Sequence, residues 1–104
     1  NVTYDLSAKE LPIFVVPLSQ VFECKRLYDE LKQSDLSIRK ISVDRAGQWE
    51  VWLETGQLIK LGSQPFSHAQ RVLGFFSKFT AYKNASSQYF DFRNNRQVAI
   101  GRLN

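Results

Sequence analysis

The sequence predicts an α+β domain: a mainly antiparallel sheet with two helices packed on one face, ending in a C-terminal β-hairpin. Three observations lead to this prediction. Two stretches repeat apolar residues at helical spacing, several short runs alternate apolar and polar residues, and turn-forming residues separate these segments. Because 104 residues with 43% hydrophobic and 23% charged residues suit one soluble core, we expect residues 1–104 to form a single domain.

The first predicted elements are a short extended run and a helix. The run at 11–16 is apolar, and its proline favours a sheet edge or the start of a strand. Helix one is predicted over about residues 19–33, with Ser19 as its N-cap and Ser34-Asp35 at its end. Its apolar face comprises Val21, Cys24, Leu27, Tyr28 and Leu31.

Three strand-like runs come next and predict an antiparallel meander. The first, 36–43, changes phase near Arg39-Lys40, which indicates a β-bulge there. The second, 49–53, alternates with Trp49, Val51 and Leu53 on one side, and the third covers 58–61. The intervening turns contain Gly47 and Gly56, and glycine readily adopts positive φ.

A second helix and a hairpin complete the domain. Ser67 is the predicted N-cap of the helix, whose apolar face comprises Ala69, Val72, Leu73, Phe76 and Phe79. Two strands, 89–93 and 97–102, are predicted to join through a tight turn at Asn94-Asn95, because asparagine tolerates left-handed conformations. Phe90 and Phe92 share a strand face, so both are expected in the core.

Residue types that commonly carry catalysis or bind metals are sparse. One histidine and one cysteine exclude most metal sites and leave no choice of Cys/His pairs. We interpret His68 as a solvated residue near the start of helix two and Cys24 as a core residue. Glu50 and Glu54 flank one strand without the burial that would tune an acid–base pair. No catalytic residue, metal or cofactor is predicted.

Positive charge is concentrated towards the C-terminus. Residues 1–70 carry eight Lys/Arg and nine Asp/Glu, whereas residues 71–104 carry six Lys/Arg and only Asp91 as an acid. This asymmetry indicates an acidic partner surface. An alternative interpretation is a small basic nucleic-acid-binding module, in which these arginines bind phosphates and neighbouring aromatic residues stack on bases.

Several motifs occur in an order that resembles one known family. They are Leu11-Pro12, Trp49-x-Val51-x-Leu53, Thr55-Gly56, Leu58 to Gly62, Arg71-Val72-Leu73-x-x-Phe76, Phe90-Asp91-Phe92-Arg93 and Val98-Ala99-Ile100-Gly101. Together they resemble the C-terminal β domain of the bacterial cell-division proteins FtsQ and DivIB. The resemblance covers nearly the whole chain.

The resemblance implies that residues 1–104 form most of an extracytoplasmic β domain. The complete protein would then be single-pass in the bacterial inner membrane, with this domain on the periplasmic side at the division septum. Its membrane helix and polypeptide-transport-associated (POTRA) domain would lie upstream of this chain, which contains no methionine. The family's role implies a non-catalytic divisome scaffold that recruits FtsB- and FtsL-type partners, without a small-molecule substrate.

The resemblance also implies a binding mode, which is β-strand addition at the last hairpin. Arg93 would pair with a partner carboxylate. Two residues depart from the family pattern, since Asn94 stands where tyrosine is frequent and Arg102 where tryptophan is frequent. The predicted partner-binding residues are Tyr89, Arg93, Asn94, Arg96, Gln97, Val98, Ala99, Ile100, Gly101 and Arg102.

Overall fold

The described residues form one sheet, two α-helices and short 3₁₀ segments. The computed structural model describes residues 2–5, 12–84 and 88–103. Helix α1 (Val21–Leu31) joins the second strand to the third, and α2 (Pro65–Lys78) joins the fifth to the sixth. The strands lie in the sheet in chain order: β1 Val2–Asp5, β2 Ile13–Val16, β3 Ile38–Val43, β4 Trp49–Leu53, β5 Leu58–Gly62, β6 Gln88–Asp91 and β7 Ala99–Arg102.

The topology explains why both helices lie on the same face. The β2–β3 and β5–β6 pairs are parallel, and the other four pairs are antiparallel. Each helix connects one parallel pair, and both connections step in the same direction across the sheet. Right-handed crossovers from strands of equal orientation therefore place α1 and α2 side by side, where they contact each other. The predicted α+β class is confirmed.

A row of apolar side chains, directly opposite one another on adjacent strands, shows how far the core extends. Phe90 on β6 lies opposite Ile100 on β7. Phe90 is fully buried beneath α2, whereas Ile100 is 40% exposed. The apolar row thus continues one strand beyond its cover. Its buried members across the preceding strands are Phe14, Ile41, Val51, Ile59 and Phe90.

Several local predictions for the first half of the chain are confirmed. The register of β3 against β4 shifts between Ile38 and Lys40, where the bulge was predicted. Gly47 has φ of 78° in the β3–β4 turn, which Asp44 stabilises by accepting the amide hydrogens of Ala46 and Gln48. The helical segment ends at Asp35 in the left-handed conformation. Leu11 lies outside the described residues.

Both predicted helix N-caps are wrong. Helix α1 follows a short 3₁₀ turn, and its N-cap is Gln20 instead of Ser19. Helix α2 begins at Pro65, two residues before Ser67, with Gln64 at the N-cap. Neither cap forms a side-chain hydrogen bond. Proline suits the first turn because the amide hydrogen that it lacks would have no helical partner there.

The connection between β6 and β7 contains Asn94-Asn95, as predicted, but it is not the tight left-handed turn that was expected. Residues 92–98 connect β6 to β7, and both strands are shorter than the sequence pattern indicates. Among the described non-glycine residues only Asp35 has positive φ, so neither asparagine is left-handed. Asn94 instead closes a local turn by accepting the Arg96 amide hydrogen at 2.8 Å.

A buried glutamine ties the β4–β5 turn to the segment after α2. Gln57 is fully buried, and its Nε2 donates to the Tyr82 carbonyl in the 3₁₀ segment Thr80–Asn84. Its Oε1 accepts the Thr55 hydroxyl at 2.9 Å. Both ends of the amide are therefore satisfied, which a buried polar group requires.

We expect Gln57→Leu to lower the free energy of unfolding by about 1–3 kcal/mol, because the Tyr82 carbonyl would lose its donor inside the protein. Urea denaturation followed by circular dichroism measures the change. The control is Gln70→Leu on the exposed side of α2, which should change stability by less than about 0.5 kcal/mol. Equal stabilities for the two variants would contradict the structural role of Gln57.

Candidate partner-binding edge

Strand β7 is the last strand of the sheet and pairs with β6 alone. Neither helix covers it, and Ala99, Ile100 and Arg102 are exposed. The outer side of β7 therefore carries peptide groups without a ladder partner in the described part of the chain. Such an edge is able to accept another β-strand.

A hydrogen bond of Phe92, directly after β6, establishes which peptide groups point outward. The Phe92 amide donates to the Lys60 carbonyl of β5 at 2.9 Å. Along a strand, successive residues direct their peptide groups to opposite sides. Since the peptide groups of Phe92 point towards β5, those of Asp91 point towards β7. By the same alternation, the peptide groups of Tyr89 also point towards β7.

The alternation continues on β7. Ala99 and Gly101 lie opposite Asp91 and Tyr89, so their peptide groups face inward and pair with β6. Those of Ile100 and Arg102 consequently face outward. A visiting strand would bond to these two residues.

Gly101 is needed because an aromatic ring occupies the space beside it. A Cβ atom at this position would clash with Cε2 of Tyr89. The same ring forms a cation–π contact with Lys60, whose Nζ lies 5.0 Å from the ring centroid. Tyr89 thus spreads over the helix-free face of the edge, and a larger residue at position 101 would displace it.

Arg93 is paired within its own hairpin. Its Nε and Nη2 donate to the two carboxylate oxygens of Asp91 at 2.9 and 2.6 Å, and its backbone amide donates to the same group. Hydrogen bonding from Arg93 lowers the pKa of Asp91 below its ordinary value of 3.8. The predicted pairing with a partner carboxylate would therefore have to share this arginine with Asp91.

Arg71 on α2 holds the loop that precedes β7. Its Nη1 donates to the carbonyls of Phe92 and Asn94 at 2.9 and 2.6 Å, and its Nη2 donates to Gln97 at 2.9 Å. The guanidinium also lies over the Phe92 ring, 5.6 Å from its centroid. Sequence reasoning placed Arg71 only within the helix motif. Nothing local indicates that it bonds residues more than twenty positions away.

His68 is buried, so its prediction as a solvated residue is wrong. Only 4% of it is exposed, and its Nδ1 lies 3.3 Å from Nη1 of Arg71. Burial lowers its pKa first, and the positive charge of Arg71 lowers it further. The cause of the error is the early start of α2 at Pro65, which places His68 inside the helix instead of at its cap.

Cys24 occupies the core, as predicted. It is fully buried on α1, and burial raises the pKa of its thiol to about 12. The protonated thiol is a poor nucleophile and a poor metal ligand. Cys24 therefore fills space between α1 and the sheet.

The structure brings most of the predicted partner-binding residues together. A shallow cavity of about 390 Å³ beside the hairpin is lined by Asp91, Arg93, Asn94, Gln97 and Ala99. Val98 packs partly against the core. Arg96 and Arg102 are exposed, and neither forms a salt bridge with the acidic side chains that the structure describes. The edge thus presents backbone hydrogen-bonding groups beside positive charge.

Other kinds of site find little support in residues 2–5, 12–84 and 88–103. These residues contain no cluster of three His, Cys, Asp or Glu that could hold a metal ion. Neither helix in these ranges is long and apolar enough to cross a bilayer. What the described chain does offer is a helix-backed sheet with one exposed terminal strand, an architecture that defines an α+β domain with an edge suited to protein binding.

Comparison with known proteins gives the family. Residues 2–93 match the family described as Cell division protein FtsQ/DivIB, C-terminal, and the chain belongs to that family. It is also 27% identical over 101 residues to the cell division protein FtsQ of Haemophilus influenzae. That match includes 92% of this chain but 40% of the relative, so the chain spans less than half of that protein's length.

Family membership indicates a role in cell division. The family match ends at Arg93, before β7 begins. The assignment of β7 to an interface therefore depends on its geometry.

We expect Arg71→Met to lower the free energy of unfolding by about 2 kcal/mol, because three loop carbonyls would lose a charged donor. Amide hydrogen exchange should accelerate in residues 92–98 more than in β3 and β4. Arg71→Lys should restore only part of the loss, since an ammonium cannot reproduce the guanidinium fork. Lys78→Met on the same helix is the charge-matched control, and an equal effect there would contradict the proposed role of Arg71.

Stability should also depend on Asp91 at acidic pH. Its pKa is lower in the folded state, so the ionised carboxylate stabilises the fold above the unfolded-state pKa of about 4, and this contribution is lost as the pH falls. In Arg93→Gln, the loss of stability between about pH 5 and pH 2.5 should be smaller than in the wild type. NMR titration should show the Asp91 pKa rising towards 3.8 in this variant. An unchanged Asp91 pKa would contradict the pairing.

Proposed function

We propose that this chain is most of the extracytoplasmic β domain of an FtsQ/DivIB-type scaffold, and that it binds an extended segment of an FtsB- or FtsL-type protein along β7. The outward peptide groups of Ile100 and Arg102, on a terminal strand without helix cover, are the observation that carries the proposal. Main-chain bonds to these groups would extend the sheet by one strand.

Side chains around the edge support an acidic partner. Arg93, Arg96 and Arg102 are all exposed, and Asp91 offsets only one of them. Asp91 occupies Nε and Nη2 of Arg93, so Nη1 still has donors for a partner carboxylate. Positive charge at the rim would accelerate association and discriminate between partners more than it would raise affinity.

The proposal includes a location. Membrane attachment would come from a helix upstream in the complete protein, and the domain would act on the periplasmic side of the inner membrane at the septum. The support is family membership, together with the fact that the chain spans only part of the relative that it matches.

Nucleic-acid binding is not proposed. Phe90 and Phe92 are fully buried, as predicted, and cannot stack on bases. Tyr89 lies between Lys60 and Gly101, against its own sheet. Stacking of bases on protein requires accessible aromatic faces, and the described hairpin offers too little such surface.

Proline at Ile100 tests the edge directly. Ile100→Pro removes an outward amide hydrogen without removing a bond to β6, and proline is tolerated on the outer side of edge strands. Binding of the extracytoplasmic segment of the FtsB-type protein from the same genome should weaken by about tenfold or more. The lost hydrogen bond and the bulk of the proline ring both oppose the incoming strand. Isothermal titration calorimetry measures the dissociation constant.

Ile100→Ala is the matched control, because it shortens the same side chain and keeps the amide hydrogen. It should weaken binding less than Ile100→Pro. Circular dichroism and the hydrogen exchange of β6 establish that both variants fold. Arg93→Glu is a less specific test, since it would place a second carboxylate beside Asp91 and disturb the hairpin. If the two folded Ile100 variants bind equally well, strand addition at β7 is wrong.

A further inference from the structure

The two residues with outward peptide groups also share one side of the sheet. Ile100 lies opposite the buried Phe90, and Arg102, two residues further, lies opposite Gln88. Alternation along a strand therefore places Ile100 and Arg102 on the helix-bearing side. Ile100 is 40% exposed and Arg102 is exposed as well, so both remain accessible beside the edge.

Ile100 and Arg102 would be stabilised by different kinds of contact. Ile100 continues the apolar row of the core, and further apolar cover would remove its exposed surface from water. Arg102 forms no salt bridge with any acidic side chain that the structure describes. Beside it, Oε1 of Gln88 is buried and accepts no hydrogen bond in the described part of the protein. The end of β7 thus has an available cation and a polar neighbour that needs a donor.

An added strand would place its own side chains beside these two. Directly opposite residues on adjacent strands have Cβ atoms about 4.5–5.5 Å apart and point to the same face. Residues of the visiting strand opposite Ile100 and Arg102 would therefore be two positions apart on one face. Opposite charges stabilise such a cross-strand pair, and like charges destabilise it.

We propose that Arg102 determines partner specificity by pairing with a carboxylate that lies two residues from an apolar side chain in the visiting strand. The carboxylate lies opposite Arg102 and the apolar residue lies opposite Ile100. This inference rests on the proposed function and specifies the chemistry of the segment that β7 binds.

The other two arginines are less suited to this role. Arg93 already pairs with both oxygens of Asp91, so its charge is partly offset and only Nη1 remains unbonded for a partner acid. Arg96 lies in the loop before β7, where no register with an added strand is defined. Arg102 alone combines an outward peptide group with an exposed positive side chain.

A charge-reversal cycle tests the pairing. Arg102→Glu should weaken binding of the same FtsB-type segment about tenfold, since an attractive cross-strand pair becomes repulsive. Each acidic residue of the segment is then changed to lysine in turn. One such change should weaken binding to the wild-type chain and restore binding to Arg102→Glu to within about threefold of the original affinity. The restoring position should lie two residues from an apolar residue.

The control is Lys32→Glu, which changes the net charge equally on the 3₁₀ segment that precedes β3, four strands from β7 in the sheet. If Arg102→Glu binds no more weakly than Lys32→Glu, or if no single reversal restores binding, the inference is wrong. Ile100→Pro distinguishes failure of this inference from failure of the proposed function. If Ile100→Pro weakens binding while the Arg102 tests fail, strand addition at β7 is still supported and only the role of Arg102 is wrong. If the wild-type chain does not bind the segment, the proposed function and this inference both fail.

Discussion

The bonds from Arg71 to the hairpin loop determine the register on which the binding edge depends. The loop has no strand partner for its carbonyls, and the guanidinium supplies donors to three of them. Because one rigid group bonds the loop near both of its ends, it favours the register in which β7 pairs with β6. That register turns Ile100 and Arg102 outward, whereas a shift by one residue would turn Gly101 outward and move every side chain to the other face.

An exposed edge strand is also a hazard, because it can pair with any extended chain. Three features of β7 restrict this pairing. The strand has four residues, positive side chains surround it, and the Tyr89 ring spreads over Gly101 on the helix-free face. Short length and positive charge discourage pairing with a second copy of the same strand, since two positively charged edges repel each other. The same features leave the edge open to a short acidic segment.

The sequence predicted the features that neighbouring residues determine. Its predictions failed for features that depend on residues distant in the chain. The phase change at Arg39-Lys40 and the positive φ of Gly47 follow from a few consecutive residues, and both were predicted correctly. The tight geometry predicted for the Asn94-Asn95 turn was wrong, since Arg71, on another element, bonds the loop. His68 was misplaced because the helix begins at Pro65 without a side-chain cap. The edge itself followed from element order, but the outward residues required a hydrogen bond between β5 and β6.

The contacts that each arginine already makes determine whether it can bind a partner. A cation that already bonds groups of its own chain has fewer donors and less uncompensated charge to offer a partner. Arg71 and Arg93 are of this kind, and they shape the loop and the end of β6. Arg102 has no such pair to lose among the described residues. Recognition of charge in the proposed complex therefore falls to the arginine at the end of the last strand, while the other two keep that strand in position.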